Sequence, residues 1–164
     1  MEYIQEIEGQ VGQLKNVSKE IRKKIRLGKL DEAYRLTAQY PNDLIIMSQR
    51  CTILIKQGRL EEAKIIGKQF EDDPIIQSQM VTIAIQEGDI ERANAIGAKF
   101  ESNEAIQSQM ITIAIQEGRL EDAKAIGEKF QDNPMIQNQM ITIAIQEGRL
   151  EEAKAIGARF KKYE

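Results

Sequence analysis

Apolar residues recur three and four positions apart through most of the chain, and every thirty residues the pattern begins again. In IIQSQMVTIAIQEG at 75 to 88, Ile76, Met80, Ile83 and Ala84 fall on one side of a helix, here called helix A. Asp73, Asn103 and Asn133 stand in its N-cap place, and Pro74 and Pro134 follow just inside, where proline's missing N–H costs nothing. Gly28, Gly58, Gly88, Gly118 and Gly148 close it, each thirty residues from the last, because glycine takes the left-handed conformation that ends a helix. Helix B follows. In RLEDAKAIGEKF at 119 to 130, Leu120, Ala123, Ile126, Gly127 and Phe130 share one face, while Glu121, Asp122, Lys124, Glu128 and Lys129 cover the other. Short polar segments, ESN at 101 to 103 and QDN at 131 to 133, return the chain to the next helix A.

The spacing predicts five helical hairpins, at 14–43, 44–73, 74–103, 104–133 and 134–163, within a single repeat domain spanning 1–164. Residues 110–121 and 140–151 both read MITIAIQEGRLE; divergence is concentrated in the first copy, which keeps mainly GKLDEA. One thirty-residue hairpin buries too little to offset backbone ordering at roughly 1 to 2 kcal/mol per residue, so each must lean on a neighbour. Gly97, Gly127 and Gly157 lie inside helix B, where glycine costs about 1 kcal/mol against alanine, and so mark close packing. Ahead of the repeats, residues 1–13 are expected to form an amino-terminal capping helix. Ile4, Ile7, Val11 and Leu14, continued by Val17, Ile21 and Ile25, read as one long amphipathic helix or two abutting ones. It either caps the stack or pairs with another chain, and Gly9 and Gly12 favour the cap. The last helix B, EEAKAIGARF, keeps its apolar residues before a charged KKYE tail; an outer face of that kind invites homo-oligomers through the solenoid ends.

The turn and second helix, GRLEEAKAIG at 148 to 157 and GDIERANAIG at 88 to 97, resemble the Gly-x-x-x-x-Ala signature of tetratricopeptide and pentatricopeptide repeats. Ala33, Ala63, Ala93, Ala123 and Ala153 match that family's small residue where helices A and B cross. The resemblance implies an all-α fold, a right-handed alpha-alpha superhelical solenoid of five helix-turn-helix repeats, with helix A lining its concave side. The unit is about four residues shorter than a tetratricopeptide repeat. Helix A lacks that family's aromatic residues, and glycine stands where helix B usually carries a bulky residue.

Composition narrows the chemistry. The chain of 164 residues has no histidine and a single cysteine, which removes the commonest general base, the commonest metal ligand and any internal disulfide. Cys51 occupies the place of Val81, Ile111 and Ile141, an apolar core position. Glu61 with Glu62, Glu121 with Asp122 and Glu151 with Glu152 are paired carboxylates, but they sit in the first turn of helix B, where negative charge complements the helix dipole. No Gly-rich phosphate loop follows any turn glycine. No enzyme activity, metal or cofactor is therefore expected. No window approaches a membrane span of roughly 18 apolar residues, and MEYIQEIEGQ lacks the features of a signal peptide, so a cytoplasmic protein is expected.

Surface remains. Ser78, Gln79, Thr82 and Gln86 form a polar stripe on helix A, repeated by Ser108, Gln109, Thr112 and Gln116 and by Asn138, Gln139, Thr142 and Gln146. This ladder either hydrogen-bonds the backbone of an extended peptide or ties successive repeats in register. In the first unit Lys19, Arg22 and Arg26 take the places of Gln79, Thr82 and Gln86, with Lys15 and Lys23 flanking. That basic end suits an acidic peptide or a terminal carboxylate. Nucleic acid is disfavoured, because aromatics are only 5% of the residues and the later stripe is uncharged. The expected function is a protein-interaction module for an extended peptide or partner helix; the alternative is a structural protein that assembles through its ends.

Overall fold

The computed structural model describes residues 2–161; the rest of the charged tail lies outside the described residues. The described chain is all-helical. The A helices are α1 (Glu2–Arg26), α3 (Leu44–Lys56), α5 (Pro74–Glu87), α7 (Glu104–Gln116) and α9 (Pro134–Gln146). The B helices are α2 (Leu30–Thr37), α4 (Leu60–Gln69), α6 (Ile90–Lys99), α8 (Leu120–Lys129) and α10 (Leu150–Phe160).

The helix boundaries follow from the capping residues. Asp73 accepts from the Ile76 N–H at 2.8 Å, and Asn103 and Asn133 accept from Ile106 and Ile136 at 3.0 and 2.9 Å. Asp43 does the same for Ile46 at 2.9 Å. The turn glycine after each helix A has φ between 71 and 73°. At Gly58, for example, its own N–H bonds to Ile55 and the next N–H, of Arg59, reaches back to Leu54 at 2.9 Å, so the Leu54 and Ile55 carbonyls near the end of α3 are satisfied before α4 starts.

The chain gathers into two compact units, residues 1–83 and 84–164, with the boundary inside α5. In the first unit, α1 packs on α2 and α3, and α3 on α4. Ile21, Ala33, Ile46 and Ile53 form its center, with Leu14, Val17, Ile25 and Tyr34 packed around them. α1 is one unbroken helix, but Tyr3, Ile4, Ile7 and Val11 along its first half are exposed. In the second unit α7 packs on α8 and α9, and α9 on α10. Its core joins Ile111, Ala114, Ala123, Ile136, Met140, Ile143 and Ile156. Ala33, Ala63, Ala93 and Ala123 are fully buried.

The helix B glycines are contact points between one hairpin and the next. A Cβ on Gly67 would lie 2.2 Å from Met80 Sδ; on Gly97, 2.3 Å from Met110 Sδ; and on Gly127, 2.2 Å from Met140 Sδ. Gly157 differs, with only Ile141 Cδ1 at 3.9 Å.

Candidate functional site

The helix A ladder joins neighboring helices. In the first unit Gln79 Nε2 donates to the Ser48 carbonyl at 2.9 Å and to Thr52 Oγ1 at 2.8 Å. In the second, Gln139 Nε2 donates to the Ser108 carbonyl at 3.1 Å and to Thr112 Oγ1 at 3.0 Å, and Ser108 Oγ donates back to Gln139 Oε1. Gln49 repeats the contact, donating to the Ser18 carbonyl and hydroxyl at 2.9 and 3.0 Å. These bonds tie one helix A to the next, so the amide donors of Gln79 and Gln139 are engaged within the protein. Ser48 Oγ instead donates to Ile45, which leaves Gln79 Oε1 buried without a donor.

Other stripe residues lie further out. Thr82 and Thr142 bond back to the Ser78 and Asn138 carbonyls in their own helices, as Thr112 does to Ser108. Gln109 is half-buried and Ser108 buried, while Gln86, Thr112, Gln116, Asn138, Thr142 and Gln146 are exposed. On α1, Lys19, Arg22 and Arg26 are exposed along one side.

A second set of glutamines was not singled out from the sequence. Gln77, Gln107 and Gln137 are 7%, 7% and 2% exposed, deep on the side of helix A that faces helix B. Each Nε2 donates to two carbonyls at the end of the preceding helix B: Gly67 and Phe70, Gly97 and Phe100, Gly127 and Phe130, at 2.9 to 3.1 Å. Helix ends leave carbonyls short of intrahelical partners; each Phe carbonyl also accepts from the backbone N–H of Asp73, Asn103 or Asn133, and the glutamine amide adds a second bond there and one to the glycine carbonyl in a dry setting. The signal was present in the letters, since these residues fall on the apolar arc among Met80, Val81 and Ala84 and their counterparts.

The acidic pairs divide between separate cations. Arg59 holds Glu62 while Lys64 holds Glu61; Arg119 holds Asp122 at 2.6 Å while Lys124 holds Glu121 at 2.5 Å. Arg149 and Lys154 split Glu152 and Glu151 in the same way. Hydrogen bonding to Arg59 pulls the Glu62 pKa below the ordinary carboxylate value. Each carboxylate of a pair faces its own cation instead of its neighbor, unlike an acid–base dyad, whose two carboxylates face each other. Among the described residues no group of histidine, cysteine, aspartate and glutamate is arranged to hold a metal, and no helix is long and apolar enough to cross a membrane.

Cys51 is fully buried, and burial pushes its thiol up to about 12. Because the folded pKa is raised, the stability this thiol contributes is complete below the ordinary thiol pKa and is lost as pH rises toward the folded value. Cys51 in the native protein is expected to react with Ellman's reagent at pH 8 at least about a hundredfold more slowly than in denaturant. Equal rates would show that the thiol is not enclosed.

Comparison with protein-family models gives no match, and a search of curated proteins finds no significant relative.

Proposed function

We propose that the chain is a non-catalytic interaction module whose hairpins stack as a right-handed superhelix of tetratricopeptide type, with the helix A face receiving an extended acidic peptide or partner helix. One observation carries this reading. Lys19, Arg22 and Arg26 stand exposed on one side of α1 with no carboxylate at ion-pair distance among the described residues. Several other cations are occupied: Arg59, Arg119 and Arg149 are held by carboxylates of their own helix B, and Lys24 by Glu32 at 2.6 Å. Three unpaired cations at helical spacing supply steering and charge-assisted hydrogen bonds to an acidic partner. The exposed Gln116, Asn138, Thr142 and Gln146 offer uncharged donors and acceptors further along the chain.

The test is fluorescence anisotropy with a labelled acidic peptide. The Arg22→Ala, Arg26→Ala double variant is expected to weaken binding roughly two- to thirtyfold, the range of two partly solvated ion pairs, and added salt to weaken the wild type. Unchanged affinity in the double variant would remove the basic face from the account.

A second reading, assembly of copies, is favored by the exposed stripe of Tyr3, Ile4, Ile7 and Val11 at 75%, 61%, 43% and 46% exposure. On that reading the solution mass climbs with concentration, and Ile7→Glu with Val11→Glu returns it to the monomer value. A constant wild-type mass would count against it.

A further inference from the structure

The second repeat breaks the pattern of the later ones at several positions, and these meet at one place. Where Met80, Met110 and Met140 face a glycine, Arg50 faces Thr37. Met47 replaces the clamp glutamine, Leu54 replaces Ala84, Ala114 and Ala144, and Ile65 replaces Ala95, Ala125 and Ala155. In the first repeat Tyr34 stands where the others have Lys64, Asn94, Lys124 and Lys154. Tyr34, Met47, Arg50, Leu54 and Ile65 all line one open cleft of about 420 Å³ on the far side of α3 from Ser48 and Thr52. That volume lies within the range of small-molecule sites, about 300 to 1,000 Å³.

The polar groups of the cleft have donors to spare. The Arg50 guanidinium stacks over the Tyr34 ring at 4.1 Å and the Arg59 guanidinium lies over the same ring at 4.5 Å. Arg50 donates to Thr37 Oγ1 at 3.1 Å and to Tyr34 Oη, both neutral oxygens. Arg59 donates to Tyr34 Oη at 3.4 Å and is neutralised by Glu62, at 2.7 and 2.6 Å. Arg50 has no carboxylate at ion-pair distance among the described residues, so Arg50, Arg59 and Glu62 together leave one positive charge. A phenol has two acceptor positions and one donor. Both acceptor positions of Tyr34 are taken by guanidinium groups, and no acceptor for its proton is found among the described residues. In the later repeats the methionine faces a glycine, whereas here Thr37 carries a Cβ and Arg50 donates to its hydroxyl. An arginine held by stacking, next to an unused phenol proton and beside apolar walls, is arranged for an anion with an apolar body.

We propose that this cleft binds a small monocarboxylate carried on an apolar chain. Its carboxylate accepts from Arg50 and Tyr34, and its chain lies against Met47, Leu54 and Ile65. The site is separate from the basic side of α1 and stands or falls independently of the peptide-binding reading.

Octanoate is the probe, titrated into the full chain with the isoleucine methyl resonances observed. Saturable shifts at Ile65 are expected with octanoate and none with octanol, which has the same chain without the charge. Arg50→Met, which installs the residue of the later repeats, is expected to weaken octanoate roughly tenfold to a hundredfold, and Tyr34→Phe roughly fivefold. Should Arg50→Met fail to fold by circular dichroism, Tyr34→Phe decides alone. The proposal is overturned by a flat octanoate titration, by wild-type affinity in the folded variants, or by octanol binding as well as octanoate. It is equally overturned if only a peptide ending in leucine, and not octanoate, occupies the cleft.

Discussion

Gly67→Leu is expected to destabilise the protein by roughly 3 kcal/mol, the upper end for overpacking, and so to lower the thermal midpoint by about 6 to 12 °C. The reason is the distance from this backbone to Met80. A Cβ at Gly67 would fall 2.2 Å from Met80 Sδ and 2.7 Å from its Cγ. A flexible sulfur moves aside for little, but the Cγ is near the backbone, and Met80 is only 1% exposed, with no solvent to turn into. Leucine adds three more carbons to that space. The same substitution at Gly97 and Gly127 meets Met110 and Met140 in the same geometry. Gly157 supplies the internal control. Its nearest neighbor is Ile141 Cδ1 at 3.9 Å, ordinary van der Waals contact, so Gly157→Ala is expected to stabilise by about 0.5 to 1 kcal/mol through helix propensity. Thermal unfolding checks both, and equal responses at Gly67 and Gly157 would show that the methionine contact does not constrain the glycine.

Gln107→Leu carries the other large effect. Its Nε2 serves the Gly97 carbonyl at 2.9 Å and the Phe100 carbonyl at 3.1 Å, and the side chain is 7% exposed. Leucine of similar size leaves both carbonyls without this donor. The Phe100 carbonyl keeps the Asn103 N–H at 3.0 Å, so the cost falls on the Gly97 carbonyl, and an unsatisfied buried group at about 1 to 3 kcal/mol sets the loss expected in denaturant unfolding. Gln107→Glu separates the hydrogen bonds from the shape. At neutral pH an ionised carboxylate would face two carbonyls, and the destabilisation should exceed that of leucine. Burial raises the folded pKa of such a glutamate above its unfolded value, so the stability of this variant, relative to wild type, recovers as pH falls and the protonated acid donates to one carbonyl. A Gln107→Leu protein as stable as the wild type would mean that water already satisfies the helix end.

The hairpins were legible because each of their boundaries rests on a local rule. Asn103 and Asn133 have short side chains that reach the N–H three residues on, and the turn glycines are the only described residues with positive φ. The packing role of Gly97 and Gly127 was legible too, since glycine inside a helix is unfavorable without a close neighbor. The clamp of Gln77, Gln107 and Gln137 was missed because a polar letter reads as surface, and only the three-dimensional path of helix B shows the carbonyls waiting for it. The ladder was legible as a stripe but not in its use. Ser18, Ser48 and Ser108 meet Gln49, Gln79 and Gln139 one residue out of step with the repeat, an offset that depends on how far one helix A slides past the next. The apolar spacing of Ile4, Ile7 and Val11 suggested a covered cap, yet these residues are exposed, because periodicity reports which residues share a face and says nothing of what covers it. Arg50 and Tyr34 were passed over for a related reason: a departure from the repeat looks like drift until its neighbors are known.

The measurement that bears most directly on the interaction-module account is a nuclear magnetic resonance titration of the labelled chain with an acidic extended peptide at low and high salt. The account predicts saturable amide shifts along α1 from Lys19 to Arg26, fading as salt screens the charges. Shifts absent at low salt, or confined to the helix B faces while α1 stays unchanged, would contradict it.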